Sequence, residues 1–312
     1  MEPVVTFFIL GVVGGLARTD LKFPAALYDA LSIVLLLAIG LKGGVELAKH
    51  PLGDALVPAL AVVALGATIP LIAFPVLRHL GGLKRADAAS IAAHYGSVSV
   101  VTFAVASAYL NRNGVPFEGI LTVFLVLLEA PAIFVGVLLA RGFSADVPFA
   151  HVVREVVFGK SIFLLFGGLV IGWVMGGDGI APLDRLYFDL FKGVLSLFLL
   201  EMGLVASRQL DALRRFGAFL SIYAVLMPLV SATLGLALGM ALGLSVGGLT
   251  LLATLAASAS YIAAPAAMRV AVPDANPGLS IGAALGVTFP FNLVIGIPLY
   301  YQAASWLRGG GA

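Results

Sequence analysis

Ten apolar segments, separated by short polar joints, follow one another along the 312-residue chain. Most of them approach the ~20 residues that a helix needs to cross the hydrocarbon core of a bilayer. Only 11% of the residues are charged, against about 25% in soluble domains, and 61% are hydrophobic. We therefore predict an all-α integral membrane protein with about ten transmembrane helices, over residues 3–17, 27–47, 55–77, 86–110, 119–140, 161–176, 186–206, 216–242, 247–268 and 279–305.

Composition excludes several kinds of site. Without cysteine, the chain cannot form a disulfide, a thiolate zinc site or an iron–sulfur cluster. Its net charge is only +2 and its basic residues are scattered, so nucleic acid is not expected as a partner. Ten spans leave no room for a separate catalytic domain. We therefore expect a single lipid-embedded domain over residues 1–312 that is not an enzyme.

The basic residues are unevenly divided between the joints. Twelve Lys and Arg residues follow the odd-numbered spans, against five on the opposite side. Because short basic loops are retained in the cytoplasm, we expect an inner (plasma) membrane protein with both termini outside. Segment 3–17 lacks a basic region before it and is expected to be a retained helix, a cleaved leader being the alternative.

The two halves of the sequence resemble each other. The pair Gly40-Leu41 recurs 163 positions later, and three residues near span 4 recur near span 9 with one offset of 161. A repeat of five spans begins its second copy on the other side of the membrane, so we predict two inverted repeats, over 1–141 and 160–312. Inverted repeats are typical of secondary transporters. The matched pairs are Gly40 and Gly203, Ser97 and Ser258, Ser99 and Ser260, and Pro116 and Pro277.

Spans 4 and 9 lose their apolar character at mid-depth. In lipid, interrupted backbone is tolerated only where protein or a water-filled cavity satisfies it. Broken or bent helices 4 and 9 that meet at the midplane would direct helix N-termini and hydroxyl groups at a small anion. Close packing of small residues is the alternative explanation. The candidate substrate-binding residues are Gly96, Ser97, Ser99, Thr102, Ser258, Ala259, Ser260 and Tyr261.

Four ionisable residues within the spans are candidates for a coupling ion or a functional charge: Lys42, His94, Glu129 and Glu201. Each needs a partner, a cavity or a neutral form, because a charge at the bilayer centre costs at least ~2.5–3.5 kcal/mol. Lys42 and Glu201 could form an ion pair, with Glu46 a competitor for the lysine. Glu129 precedes Ala130-Pro131, where a helix irregularity is expected, and is the best candidate to face a cation or proton. His94 is either part of the site or a hydrogen-bonded packing residue.

Four segments resemble the sodium-dependent bicarbonate transporter family known from cyanobacteria. They are 96–102 (GSVSVVT), 115–118 (VPFE), 129–132 (EAPA) and 256–300, in which PDANP at 273–277 followed by IGA at 281–283 is the most specific. The resemblance implies a trimer with a core from spans 55–140 and 216–305 and a gate from spans 3–47 and 161–206. It also implies a bicarbonate site between the broken helices, at Ser99, Thr102, Ser258 and Ser260 with Gly96 as backbone, and Na+ near Ser99, Thr102 and Ser260.

The sequence departs from that family at two charged positions. Tyr261 stands where the family pattern has an acidic residue, and Lys42 stands where it has a neutral hydroxyl. The resemblance therefore implies an elevator-like transporter of a small anion such as bicarbonate, with coupling to Na+ or H+ left open. No other cofactor is expected. The joint 141–160 is short, so a regulator of the PII type is not expected. An anion-binding sensor and an intramembrane enzyme using His94 with Ser97 or Ser99 are the alternative functions.

Overall fold

The computed structural model describes residues 2–49, 52–142, 153–154 and 157–309. Within these residues the chain is helical and contains no β-strand, as the apolar segments predict. Most of the joint 141–160, on which the expectation about a PII-type regulator depends, lies outside the described residues. The helices of the first half are α1 Pro3–Leu16, α2 Ala25–Ala48, α3 Leu52–Pro75, α4 Arg85–Gly96, α5 Val100–Arg112, α6 Leu121–Glu129 and α7 Pro131–Arg141.

The second half is also helical, and its α9 of 51 residues is the longest of the described helices. Wider π-helical turns at Ala284–Thr288 and Asn292–Gly296, with a short helical turn between them, connect its last two helices into one long segment. The helices are α8 Lys160–Ile180, α9 Phe191–Ala241, α10 Val246–Ala257, α11 Ala263–Ala271, α12 Pro277–Ala283 and α13 Ile297–Leu307.

Seven helical stretches among the described residues are long and apolar enough to cross a membrane. Two further apolar helices, α1 and α10, are shorter. This pattern is that of a multi-pass membrane protein. The seven stretches are Ala25–Leu47, Leu56–Leu80, Arg85–Arg112, Leu121–Arg141, Lys160–Leu183, Gly217–Ala241 and Pro277–Leu307.

Both helices that the sequence singles out are interrupted. Span 4 divides into α4 and α5 around residues 97–99, and span 9 divides into α10 and α11 around residues 258–262. Pro265 lies in the first turn of α11, where a missing N–H leaves no helical hydrogen bond unmade. The interruption of span 9 therefore precedes the proline instead of being centred on it. Span 5 also divides, because α6 ends at Glu129 and α7 begins at Pro131, as expected.

Spans 7 and 8 were expected as separate helices, and α9, which covers both, is interrupted by one non-helical residue, Gly217. The joint between them, residues 204–216, contains charged residues and no glycine or proline, so nothing in it stops a helix. The direction changes only at Gly217, whose φ of 83° lies in the left-handed region that glycine adopts without strain. The expected division between these spans therefore lies at Gly217, next to the predicted start of span 8 at residue 216.

Glycines bring two pairs of helices into backbone contact. A Cβ atom on Gly44 of α2 would overlap the Leu169 carbonyl oxygen of α8, and one on Gly203 of α9 would overlap the Phe8 carbonyl oxygen of α1. Small residues at such spacing allow the close approach on which helix packing in membranes depends. We call the α2–α8 and α1–α9 contacts the glycine seams.

Substitution of Gly44 by alanine should destabilise the protein. The new methyl group has only backbone around it, so the two helices must separate, at a cost of about 1–3 kcal/mol typical of overpacking. The melting midpoint of the purified protein should fall. Gly167→Ala on α8 is the matched control, since open space surrounds that position and the midpoint should hold or rise slightly. Equal midpoints for the two variants would contradict a tight seam.

Candidate functional site

The two helix interruptions begin with residues of the same backbone conformation. Ser97, which ends α4, has φ −86° and ψ 162°, and Ser258, which ends α10, has φ −82° and ψ 163°. These residues are separated by the offset of 161 positions found in the sequence. The similarity between the two halves is therefore present in local backbone geometry as well as in residue type. We call segments 97–99 and 258–262 together the helix crossing.

Hydrogen bonds run in both directions across the helix crossing. The Ser99 N–H donates to the Ser258 hydroxyl at 2.9 Å, and the Ser260 N–H donates to the His94 carbonyl at 2.8 Å. All four residues are buried. Each interruption thus satisfies backbone groups that the other leaves without a helical partner, as burial requires.

The hydroxyls at the helix crossing already accept hydrogen bonds from nearby donors. Ser99 Oγ accepts from the Thr102 N–H at 3.1 Å and from the Thr102 hydroxyl at 2.8 Å. Ser260 Oγ accepts from the Ala264 N–H at 3.2 Å. A hydroxyl has two lone pairs and one proton. Ser99 is therefore left with its proton, which it can donate to a further group.

A cavity of about 10 Å³ lies at the helix crossing, close to the smallest that holds one water molecule. It is the place where both interruptions, the end of α6 and the start of α8 come together. Its polar lining consists of Ser99, Glu129, Ser161, Ser260 and Tyr261. We call it the central cavity.

Glu129 is the acidic residue of the central cavity. Its exposed fraction is 2%, and its Oε2 atom is buried without a hydrogen-bond partner among the described residues. The Ser97 hydroxyl donates to its backbone carbonyl at 3.0 Å, at the point where Pro131 interrupts the helix. The site thus holds a carboxyl group that protein donors leave unsatisfied.

Two larger cavities flank the helix crossing. One, of about 470 Å³, is lined by Lys42, Phe103 and Lys192, and we call it the Lys42 vestibule. The other, of about 460 Å³, is lined by Lys160 and Arg269, and we call it the Lys160 vestibule. The Lys160 vestibule shares three lining residues with the central cavity, Ser161, Tyr261 and Ile262, whereas the Lys42 vestibule shares none.

Five of the predicted site residues are buried beside the central cavity without lining it: Gly96, Ser97, Thr102, Ser258 and Ala259. A Cβ on Gly96 would collide with Pro70 and Ala132, so this glycine allows close helix packing. Ser97 and Thr102 act through their hydrogen bonds to Glu129 and Ser99. Ser258 fixes the helix crossing itself, since its hydroxyl also donates to the Leu255 carbonyl.

Lys42 and Glu201 form no ion pair with each other within the described residues. Lys42 is exposed to the Lys42 vestibule, and Glu46 pairs with Lys49 at 2.8 Å instead of with Lys42. Glu201 is half-buried on α9, and in the described part of the chain its Oε2 atom has no hydrogen-bond partner. The two charges therefore have separate surroundings.

His94 contributes to the helix crossing mainly through its backbone. Its Nδ1 lies 2.7 Å from the Ser90 carbonyl, an acceptor, so Nδ1 carries the proton. Its Nε2 is buried without a partner among the described residues, so the imidazole makes no hydrogen bond to Ser97 or Ser99. The arrangement needed for serine activation is absent from the described part of the chain.

Two buried networks that sequence reasoning missed hold the second half at the helix crossing. The Tyr95 and Thr288 hydroxyls lie 2.7 Å apart, and Thr288 donates to the Ala224 carbonyl at 2.6 Å. Asn292 donates to the Ala257 carbonyl, the last of α10, at 2.9 Å and accepts from the Tyr300 hydroxyl at 2.8 Å. Thr288 and Asn292 are polar residues four positions apart in an apolar span, and this spacing is the sequence signal that could have identified the two networks.

These features define a class: a helical membrane protein in which two interrupted helices meet at a small, buried, polar cavity. Residues 3–305 match the sequence model of the Na+-dependent bicarbonate transporter superfamily. The chain belongs to this family, as its motifs indicated. No individually curated protein matches the chain closely enough to be counted as a relative.

Replacement of Asn292 by leucine should destabilise the protein, because the Ala257 carbonyl and the Tyr300 hydroxyl then lose their partner inside the core. Each buried polar group left unsatisfied costs about 1–3 kcal/mol. The melting midpoint of the purified protein is the measurement. Asn113→Leu is the control, since Asn113 is exposed and bonds only to the Tyr109 carbonyl of its own helix. A midpoint for Asn292→Leu no lower than for the control would refute the supporting role.

Proposed function

We propose that the protein is a secondary transporter that moves a small anion, bicarbonate, together with Na+ or H+ by alternating access. The observation that carries this proposal is the helix crossing, where two interrupted helices from the two halves of the chain surround a hydroxyl-lined cavity. Membership of the Na+-dependent bicarbonate transporter superfamily supports bicarbonate as the substrate.

The chemistry of the central cavity suits an anion. Ser99 has a proton to donate, and the Tyr261 hydroxyl is buried without a hydrogen-bond partner of good geometry. Helices α5 and α11 begin directly after the two interruptions, so their positive ends lie beside the cavity. Bicarbonate, a planar anion with three oxygens, is larger than this cavity of about 10 Å³, so the cavity must widen before these donors hold the anion.

The glycine seams support the proposed inverted repeat. In each seam, a helix from the start of one half packs on the second helix of the other half. A pseudo-two-fold axis in the membrane plane would relate the two seams, because it exchanges the first and second helices of one half with those of the other. The small residues concerned are Gly40 and Gly44 with Gly168 and Gly172, and Gly203 and Ser207 with Gly11 and Gly15.

The two vestibules support alternating access. The proposed gate consists of α1, α2, α8 and the first part of α9. Within it, the glycine seams pack α1 on α9 and α2 on α8. The proposed core consists of α3 to α7 and the chain from Gly217 onward. An elevator-like shift of this core would carry the central cavity from one vestibule to the other. Since the Lys160 vestibule shares its lining with the central cavity, we assign this conformation to the state that opens on that side.

The proposed setting is the inner membrane, with both termini outside. Lys160 and Arg269 lie in the joints that the charge bias assigns to the cytoplasm, so the Lys160 vestibule would face the cytoplasm. From the family resemblance, we also propose that the protein is a homotrimer. Because the joint 141–160 is short, the proposal does not include a regulator of the PII type.

Counterflow of labelled bicarbonate in proteoliposomes tests the proposal. Uptake should exceed that of protein-free vesicles and should be driven by an imposed Na+ gradient or pH gradient. Absence of uptake above the protein-free background under both gradients would refute transport. Stabilisation of the purified protein by bicarbonate without any flux would instead indicate the alternative function, an anion-binding sensor.

Replacement of Ser99 or Ser260 by alanine should weaken bicarbonate binding. A hydrogen bond to a charged group contributes about 1.5–3 kcal/mol, so the KM should rise roughly tenfold or more. Ser280→Ala is the control, since Ser280 is equally buried but bonds only within its own helix, to the Pro277 carbonyl. A KM that changes equally in all three variants would contradict the assigned site.

Lys42 should attract the anion without binding it in the central cavity. Lys42→Thr should raise the KM severalfold for anion supplied from the Lys42 vestibule side at low ionic strength, and the difference should shrink as salt screens the charge. Lys49→Thr is the control, since Lys49 is exposed and paired with Glu46. A salt-independent loss of maximal rate would instead indicate that Lys42 acts in coupling.

A further inference from the structure

We infer that Glu129 couples anion and cation movement by carrying a proton, so that bicarbonate is bound when this carboxyl is protonated. The inference rests on the proposed function and deepens it, because it names the coupling ion and the group that holds it. It starts from the unsatisfied carboxyl in the central cavity.

Glu129 is the acidic residue in the lining of the central cavity, and no lysine or arginine lines that cavity among the described residues. Its carboxyl is buried, and Oε2 lacks a hydrogen-bond partner. The apolar remainder of the lining is Leu36, Val98, Val100 and Ile262. An ionised Glu129 would therefore be a negative charge with no local cation to balance it.

An anion cannot readily share so small a space with an ionised carboxylate. At the effective dielectric constant of a protein site, like charges about 4 Å apart repel strongly enough to lower affinity by roughly three orders of magnitude. Neutralisation of Glu129 removes this repulsion. By linkage, the bound anion then raises the affinity of Glu129 for its neutralising cation, and this reciprocity is what coupling requires.

The hydroxyls around Glu129 favour a proton over a metal cation as the neutralising species. Both lone pairs of Ser99 Oγ are engaged by Thr102, and one lone pair of Ser260 Oγ is engaged by the Ala264 N–H. Ser258 Oγ accepts from Ser99 and donates to Leu255. A hard cation needs several free oxygen lone pairs, whereas Ser99 and Ser260 use lone pairs as acceptors and keep their protons to donate. A proton needs only the carboxyl.

The other charged groups on the elements packed around α6 are engaged elsewhere or lie outside the central cavity. On α2, Asp29 pairs with Lys160 of α8 at 2.6 Å, Glu46 pairs with Lys49, and Lys42 lines its own vestibule. On α7, Arg141 donates to the Ala271 carbonyl. Among the other titratable side chains, Tyr261 lines the cavity and His94 has its Nδ1 bonded to Ser90. Tyr28 of α2 lines the Lys160 vestibule, and Asp178 lies near the end of α8.

The test compares Glu129→Gln with Glu201→Gln. Glutamine keeps the size of the side chain and mimics a permanently neutral carboxyl. Glu201 is the matched control, because it is also a carboxyl in an apolar span with a buried, unpartnered Oε2, but it does not line the central cavity.

The first measurement is the affinity for bicarbonate as a function of pH. The readout is the melting midpoint of the purified protein at known bicarbonate concentrations. For the wild type and Glu201→Gln, affinity should fall as pH rises, approaching tenfold per pH unit where each anion requires one proton. For Glu129→Gln, affinity should vary by less than about twofold across the same range. A pH dependence retained in Glu129→Gln overturns the inference.

The second measurement is transport in proteoliposomes with Na+ either present or absent. Glu129→Gln should retain counterflow exchange but lose accumulation driven by a pH gradient, whereas Glu201→Gln should retain both. Wild-type accumulation driven by a Na+ gradient and not by a pH gradient overturns the inference and leaves the proposed function standing. Absence of any flux in the wild type refutes the proposed function itself. If Glu129→Gln does not fold, Glu129→Asp should keep the coupling with a displaced pH dependence, and an unchanged pH dependence would again overturn the inference.

Discussion

Backbone N–H and C=O groups inside a membrane need partners from the protein, and the helix crossing meets this requirement at the point where two helices stop. Ser99 and Ser260 donate across it in opposite directions, to Ser258 and to the carbonyl of His94. An interruption in one half is therefore tolerated because the other half is interrupted at the corresponding position. The central cavity and its hydroxyls exist because these two ends meet.

The sequence predicted the class of fold and the positions of two helix interruptions because both depend on simple patterns. Apolar runs identify helices in lipid, and serines in two apolar spans identified the interruptions that the structure contains at 97–99 and 258–262. The continuation of span 7 through the joint as far as Gly217 was not predicted, because a polar joint without glycine or proline continues a helix as readily as it ends one.

Side-chain partners were harder to predict than helices. Lys42 and Glu201 occupy similar depths in their spans, yet the lysine faces a vestibule and the glutamate lies on another helix. Whether two such charges meet depends on the rotation of each helix about its axis, which packing determines. Asn292 and Thr288 were missed for the same reason, since their importance comes from the carbonyls of Ala257 and Ala224, which are distant in sequence.

The glycine seams also have a consequence for how the protein is made. Helices α1 and α2 pack on α9 and α8, which lie in the other half of the chain. A ribosome delivers the first half to the membrane well before the second, so α1 and α2 are inserted with their glycine faces uncovered. Lipid or an insertion factor must cover those faces until α8 and α9 arrive, and neither half can complete its packing alone.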